Sequence, residues 1–213
     1  MHVNPAELGI TERYKLLVGG VVPRPIAWVS TLSREGNANL APFSFTCGVG
    51  SDPMTLLYCP ANNADGSEKD SLIYADPGAG TGEFVLNIVN ETHARAMAAT
   101  AEPLPRGESE WELAGLEQAP SVNVRPARVA GAPVAYECVT DRVIRLNPGA
   151  PSGGNIVLGR VVGVHADDAI IDERYRIDPA KLAAVGRMAG MTYCTTAERF
   201  DLPWGKDALE EQS

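Results

Sequence analysis

The chain has 213 residues, enough to close one hydrophobic core, and 45% of them are hydrophobic. Its formal net charge of −9 at pH 7 argues against general nucleic-acid binding, because affinity for phosphate backbones needs a basic face. It lacks an apolar N-terminal segment, any long apolar run and any C-x-x-C pair among its four cysteines, so we expect a cytoplasmic protein without a signal peptide or membrane span.

The first predicted element is a short helix over residues 11–18, which two glycines are expected to end. Prolines on both sides of Arg24 then hold the chain extended. Three strands follow at residues 26–32, 39–47 and 54–59, separated by glycine-containing turns. This stretch therefore predicts the beginning of an antiparallel sheet.

The middle strand is irregular in sequence. Pro42 cannot donate a hydrogen bond to a neighbouring strand, so it belongs at an edge or a bulge. Ser44 and Thr46 alternate with Phe43 and Phe45, which puts hydroxyls on one side and rings on the other. An irregular strand leaves backbone N–H groups unpaired, and a flat polar ligand can bind them.

The rest of the chain predicts more strands and a few short helices. Ser67 and Asp70 are spaced as a capping pair for a helix over residues 67–75. The later expected elements are a strand at 83–89, an alanine-rich helix from Asn90 to about 101, an excursion at 106–131, long strands at 134–146 and 156–165, and a tail at 186–213. This order predicts a mainly β protein, a closed antiparallel barrel in one domain over residues 1–213.

Short motifs follow one another along nearly the whole chain: RPIAWVST, APFSF, KDSLIYAD, GEFVLNIV, WELAGL, PVAYEC, GGNIVLGRVVGVH and VGRMAGMTYCTT. Their order resembles that of the flavin reductase-like family, which includes flavin reductases and the reductase components of two-component monooxygenases. The resemblance implies a closed antiparallel split β-barrel with a few short helices. It also implies a homodimer that buries FMN at the subunit interface.

A flavin ring needs backbone hydrogen-bonding groups along one edge and apolar cover on its faces. The resemblance implies that the first two strands supply both. Without the family, Ser30 and Thr31 would be ordinary strand residues, and a tryptophan such as Trp28 is most often part of a core. The expected ring contacts are Trp28, Val29, Ser30, Thr31, Ala41, Pro42, Phe43, Ser44, Phe45, Thr46 and Cys47.

A flavin phosphate needs positive charge and N–H donors, and the start of the helix at residues 67–75 is the candidate. Ser67, Lys69 and Ser71 carry the hydroxyls and the charge there. The neighbouring Asp70 is included in this site, although its carboxylate competes with phosphate for the same N–H groups. The alternative is a capped surface helix with Lys69 in water.

Two arginines and two candidate catalytic residues complete the expected site. Arg24 can reach the phosphate or the pyrimidine edge, and Arg187 in GRMAG contacts either the flavin or a salt-bridge partner in the tail. Ser44 and His165 are the candidates for catalysis, with a surface histidine as the alternative for His165. No histidine, cysteine and carboxylate spacing predicts a metal site, and the glycine-rich segment at 78–83 lacks dinucleotide-binding spacing.

The resemblance implies an oxidoreductase that transfers hydride from NADH or NADPH to flavin, with FMN expected and FAD as the alternative cofactor. Some relatives pass reduced flavin to a partner monooxygenase. Two other classes remain open: an FMN-binding electron carrier without reductase activity, and a flavin-dependent oxygenase or specific reductase whose substrate lies under the excursion at 106–131.

Overall fold

The structure is a computed structural model that describes residues 1–105 and 108–209. The first two residues of the expected excursion and the last four of the expected tail therefore lie outside the described residues. Within the described ranges, no helix is long and apolar enough to cross a membrane.

Strands make up most of the regular structure, as the sequence predicts. They are β1 Ala27–Leu32, β2 Ala38–Phe43, β3 Thr46–Ser51, β4 Met54–Tyr58, β5 Glu83–Ile88, β6 Gln118–Ala119, β7 Arg128–Val129, β8 Val134–Arg145, β9 Asn155–Ala166, β10 Val185–Arg187 and β11 Tyr193–Thr195. Seven of them form one antiparallel sheet in the order β2-β1-β5-β8-β9-β4-β3. The short strands pair as β6 with β7 and as β10 with β11.

The sheet ends at β2 on one side and at β3 on the other, and the chain crosses between these edges through Ser44 and Phe45. The strand expected at 39–47 is thus two edge strands joined by a two-residue crossing, and Pro42 lies in an edge strand. Among the described residues, β2 and β3 form no hydrogen-bonded pairing. The expected mainly β, antiparallel architecture is therefore confirmed as a seven-stranded sheet, whereas the expected closure of a barrel is not shown by hydrogen bonds among the described residues.

The helices are short. They are α1 Ile10–Gly20, α2 Asp70–Ala75, α3 Ala94–Ala99, α4 Glu110–Leu113 and α5 Pro179–Leu182, with 3-10 turns at Pro5–Glu7, Glu91–His93 and Gly205–Leu209. The expected cap at Ser67 is wrong, because Asp65 Oδ1 accepts hydrogen bonds from Ser67 N at 2.9 Å and Ser67 Oγ at 2.6 Å. That local turn delays the helix until Asp70, and Lys69 precedes it without a side-chain cap.

Successive side chains of β1 point to opposite sides of the sheet, and both faces of this strand are buried. Ala27 and Val29 join an inner cluster in which Tyr58 lies between two rings, 5.2 Å from Phe43 and 5.1 Å from Phe84 by centroid. Trp28 joins an outer cluster under the short helices and the excursion.

The excursion closes over this outer cluster and is held to the sheet by hydrogen bonds. Ser30 Oγ donates to the Ala127 carbonyl at 2.5 Å, and Asn87 Oδ1 accepts from Val129 N at 3.0 Å. The excursion therefore forms a fixed wall along the described residues 108–131 and packs against β1 and β5.

Candidate functional site

A cleft of about 770 Å³ opens beside the crossing between β2 and β3. One part of its wall is the crossing itself, another is the segment that leads into α2, and a third is the chain after α3 together with α4. The lining residues are Tyr14, Asn39, 41–45, Cys59, Ala61, 63–65, 67–71, 100–104 and Glu110. Three segments far apart in the sequence thus share one cavity.

The end of β2 and the crossing together supply two phenyl rings, those of Phe43 and Phe45, and the Ser44 hydroxyl to the cleft. The stretch from Ala41 to Phe45, all of it expected to contact a flavin ring, lines the cavity. Ser44 Oγ accepts a hydrogen bond from Arg24 Nε at 3.1 Å. Phe43 is buried against Tyr58, so the crossing is anchored in the inner cluster.

The four residues expected at a phosphate, Ser67, Lys69, Asp70 and Ser71, also line the cleft. Ser71 is 1% exposed, and its Oγ atom has no hydrogen-bond partner among the described residues. A buried hydroxyl without a partner costs about 1–3 kcal/mol, which makes this hydroxyl on the cavity wall a candidate ligand contact. Helix α2 has only six residues, so its dipole does not support the site as the sequence suggested.

Other expected contacts lie elsewhere. Trp28 is in the outer cluster, and its Nε1 donates to Thr100 Oγ1 at 2.8 Å. Thr46 Oγ1 donates to the Leu57 carbonyl at 2.6 Å. The remaining ones are Val29, Ser30 and Thr31, which are buried in β1, and Cys47, which is exposed on β3. None of these residues belongs to the described lining of the cleft.

The two arginines differ in their surroundings. Arg24 is 4% exposed and lies directly behind Ser44. Arg187 points along the tail, where it donates to the Gly190 carbonyl and lies 4.4 Å from the centroid of the Tyr193 ring. His165 is hydrogen-bonded to Glu137 and, like Arg187, is not part of the described cleft lining.

Glu110 is a lining residue that the sequence analysis missed. Its Oε2 atom accepts a hydrogen bond from Leu40 N at 3.0 Å, which ties α4 to β2. Burial raises the pKa of the Glu110 carboxyl, the Leu40 N–H opposes that rise, and the charge of Asp70 adds to it. Only the WELAGL motif beside it marked this region, and nothing in its spacing indicates a return to β2.

The segment before α2 is held in place by an ion-pair network. Arg145 Nε lies 2.5 Å from Glu68 Oε1, and Arg145 Nη2 lies 2.8 Å from Asp76 Oδ2. Arg145 therefore binds residues on both sides of α2. Gly66 is needed for the same packing, because a Cβ atom there would lie 2.2 Å from the Gly149 carbonyl oxygen.

The charges of the lining residues are unbalanced. Five of them carry carboxylates, and within the described lining only Lys69 carries a positive charge. Lys69 is half-buried and lies two residues from the unpartnered hydroxyl of Ser71. No group of three histidine, cysteine or carboxylate side chains suited to a metal ion occurs in residues 1–105 and 108–209.

Comparison with known proteins agrees with this fold. A family model described as flavin reductase like domain matches residues 19–182. The chain is 34% identical to nitrilotriacetate monooxygenase component B from Bacillus cereus, with a TM-score of 0.88 over 95% of this chain and 98% of that one. It is 28% identical to the 2-nitrobenzoate 2-nitroreductase NbaA of Pseudomonas fluorescens, with a TM-score of 0.82 over 97% of each chain.

A third solved structure identifies the fold. The flavin reductase with split barrel domain from Shewanella frigidimarina is 20% identical, with a TM-score of 0.76 over 96% of this chain and all of that one. Because the family model covers most of the chain, the protein belongs to the flavin reductase-like family and has its split-barrel fold. The expected family and the flavin reductase type of activity are thereby confirmed.

Proposed function

We propose that the cleft binds FMN and that the protein transfers hydride from NADH or NADPH to this flavin. The observation that carries the proposal is Ser71 Oγ, a buried hydroxyl that has no described partner and lies on the cleft wall beside Lys69. A phosphate would accept a hydrogen bond from this hydroxyl and pair with the ammonium group. Family membership supports a flavin as the molecule that carries the phosphate.

The lining residues fit a flavin in other ways. Phe43, Phe45 and Pro42 offer apolar cover to a flat ring, and Ser44 offers a hydroxyl at its edge. When bound, the flavin supplies the redox chemistry, and the protein supplies orientation and electrostatics. In such a complex the crossing would cover one face of the ring, and Ser44 would hold a donor in place before negative charge arrives.

Cofactor choice is tested by titrating the flavin-free protein with FMN, FAD and riboflavin and following flavin fluorescence. We expect FMN to bind more tightly than riboflavin, because riboflavin lacks the phosphate that Ser71 and Lys69 would hold. Equal affinity for FMN and riboflavin would contradict a phosphate site at these residues. FAD that binds as tightly as FMN would show that the cleft accommodates the adenosine part of FAD, and would favour FAD as the alternative cofactor.

Two observations favour a further role. The likeness to a monooxygenase component B supports delivery of reduced flavin to a partner monooxygenase. The likeness to a nitroreductase supports direct reduction of a specific substrate in the cleft. Steady-state oxidation of NADH with increasing free FMN separates these roles from an electron carrier, which would bind FMN tightly and oxidise NADH negligibly.

We also propose that the protein is a homodimer. Helix α1 buries only Val18 and exposes Ile10, Tyr14, Leu16 and Leu17 to between 50% and 58%. Tyr14 also lines the cleft, so a second copy covering this helix would cover the cleft mouth as well. Sedimentation equilibrium with FMN present tests this, and a monomer that retains FMN would contradict it.

A further inference from the structure

Arg24 is a buried arginine whose side-chain N–H groups donate hydrogen bonds to uncharged acceptors. Its Nε atom donates to Ser44 Oγ at 3.1 Å, and Nη2 donates to the Met188 carbonyl at 2.9 Å. Its Nη1 atom donates to the carbonyls of Val18 at 2.7 Å and Val21 at 2.8 Å. Its backbone is held as well, since the N–H and carbonyl groups of Arg24 pair with those of Arg187 at 3.0 and 2.8 Å. The guanidinium group is therefore fixed from several sides.

The charge of this guanidinium is not balanced by a neighbouring carboxylate. Among the described residues, Arg24 forms no ion pair, although it is 4% exposed. Carbonyl and hydroxyl dipoles stabilise a buried cation but leave its net charge in place. The charge of Arg24 therefore polarises the groups that it contacts, and of these Ser44 lies in the cleft wall.

The chemistry of the Arg24–Ser44 hydrogen bond decides which way the serine hydroxyl points. A guanidinium group has N–H donors and no acceptor, so Ser44 Oγ must be the acceptor. The single hydrogen of the Ser44 hydroxyl then remains available for another acceptor. Because Ser44 lines the cleft, its hydroxyl is a donor toward a ligand there. A hydroxyl that accepts from a cation is also the stronger donor, since hydrogen bonds in a chain polarise one another.

Arg24 also contacts Phe45, the second residue of the crossing. Its guanidinium carbon lies 5.8 Å from the centroid of the Phe45 ring, within the range of a cation–π contact. Both residues that join β2 to β3 are thus held by the same side chain. Arg24 thus helps to hold the crossing in the cleft wall, together with the packing of Phe43 against Tyr58 and the hydrogen bond from Cys59 N to the Phe45 carbonyl at 2.8 Å.

We propose that Arg24 is a positioning residue that makes Ser44 a cation-backed hydrogen-bond donor and thereby raises the reduction potential of a flavin in the cleft. This inference rests on the proposed function, because it assigns Arg24 and Ser44 a part in that same site. The negative charge that accompanies hydride transfer would be stabilised by the Ser44 hydroxyl, and Arg24 would act through that hydroxyl. Removing either member of the pair then removes the same stabilisation.

A double-mutant cycle tests this dependence, with the midpoint potential of bound FMN as the readout. The variants are Ser44→Ala, Arg24→Gln and the double variant, measured anaerobically against a redox dye at saturating FMN. We expect each single variant to lower the equilibrium constant for reduction about tenfold, which is about 30 mV for a two-electron couple. The double variant should show no further loss, because the two effects share one hydroxyl.

Two variants serve as controls. Ser44→Thr keeps the hydroxyl and should keep the wild-type potential. Arg34→Gln removes an arginine that also donates to carbonyls, those of Gly80 and Pro77, but whose side chain is outside the described cleft lining. It should leave the potential unchanged.

The outcomes separate the claims. Losses that add in the double variant would show that Arg24 acts independently of Ser44 and would overturn the inference. If Arg24→Gln fails to fold, the Ser44 variants test the inference. An unchanged midpoint potential in Ser44→Ala overturns it. A lower potential in Ser44→Ala, together with a wild-type potential in Ser44→Thr, supports it. A wild-type protein that binds no FMN contradicts the proposed function instead.

Discussion

The Nε2 atom of His165 lies 2.6 Å from the Oε1 atom of Glu137, whose side chain is 0% exposed. The same carboxylate accepts hydrogen bonds from the backbone N–H groups of Val122 at 2.7 Å and Asn123 at 2.6 Å. Gly163 leaves room for this arrangement, because a Cβ atom there would lie 2.6 Å from Asn123 Nδ2. The pair therefore fastens the excursion to β8 and β9, on residues that do not line the cleft.

This arrangement predicts an acid-sensitive attachment of the excursion. Burial raises the pKa of Glu137, but the hydrogen bonds from Val122, His165 and Asn123 outweigh burial and hold that pKa below its usual value of 4.5. A carboxyl with a depressed pKa adds stability above its unfolded-state pKa, and this stability is lost as the pH falls through the folded-state pKa. The contribution of Glu137 should therefore begin to fall below about pH 4.5 and be lost once the pH is below the depressed folded-state pKa.

The change that tests this attachment is Glu137→Gln. We expect it to lower the free energy of unfolding by about 1–3 kcal/mol at pH 7, because a buried acceptor of several hydrogen bonds is weakened. Urea unfolding of both proteins at pH 7 and pH 4 measures the effect. The difference between them should shrink at pH 4, and a constant difference would show that the carboxylate charge is not involved.

Ser71→Ala should separate ligand binding from stability. We expect FMN to bind roughly tenfold more weakly, because one hydrogen bond to phosphate is lost. The free energy of unfolding of the flavin-free protein should stay the same or rise, since the variant removes a buried hydroxyl without a described partner. Isothermal titration and urea unfolding measure the two quantities.

Thr140→Val is the matched control for Ser71→Ala. Thr140 Oγ1 is also buried without a described partner, but Thr140 lies in β8 and is not one of the cleft-lining residues. FMN affinity should be unchanged in this variant. If FMN affinity survives in Ser71→Ala as well, Ser71 does not contact the phosphate.

Lys69→Ala should weaken FMN binding by about 1.5–3 kcal/mol, which is roughly ten- to a hundredfold, because it removes a charge-assisted contact. Riboflavin binding should change far less, since riboflavin has no phosphate. Fluorescence titration with both flavins measures the difference. Lys181→Ala is the control, because Lys181 is exposed on α5 and donates to the Ala169 carbonyl. Equal losses for both flavins would mean that Lys69 acts on the ring or on folding.

Ser44→Ala should slow reduction of the flavin more than it weakens binding of oxidised FMN. The physical reason is that the hydroxyl contact strengthens as negative charge develops. Stopped-flow reduction at saturating NADH measures the rate, and fluorescence titration measures affinity. An unchanged rate together with lost affinity would show that Ser44 only holds the cofactor.

Local patterns in the sequence predicted the strands and one wall of the site well. Apolar runs bounded by glycine-containing turns identified β1 and β4 nearly to the residue, and Pro42 marked an edge strand. The order of motifs predicted a cofactor contact at Ser71, a lining residue whose buried hydroxyl has no described hydrogen-bond partner. These features depend on near neighbours, so the sequence alone reveals them.

Features that depend on distant segments were not accessible. The resemblance predicts a flavin contact for Trp28 because the neighbouring residues of its strand are predicted to contact the flavin. In the structure, the excursion buries the face of β1 on which Trp28 lies. The sequence does not predict Glu110 as a lining residue, because its hydrogen bond to Leu40 joins residues 70 positions apart. The sequence predicts one continuous strand through Ser44 and Phe45, because the alternation of polar and apolar residues continues there. The break between β2 and β3 is visible only in the structure, where the two strands lie at opposite edges of the sheet.

The most direct test of the central claim is an anaerobic titration of the FMN-loaded protein with NADH and, separately, with NADPH. We predict that at least one of them bleaches the visible absorbance of the bound flavin in stoichiometric amounts, and that air restores it. Flavin that stays oxidised with both nucleotides, although dithionite reduces it, would contradict a reductase that uses nicotinamide nucleotides.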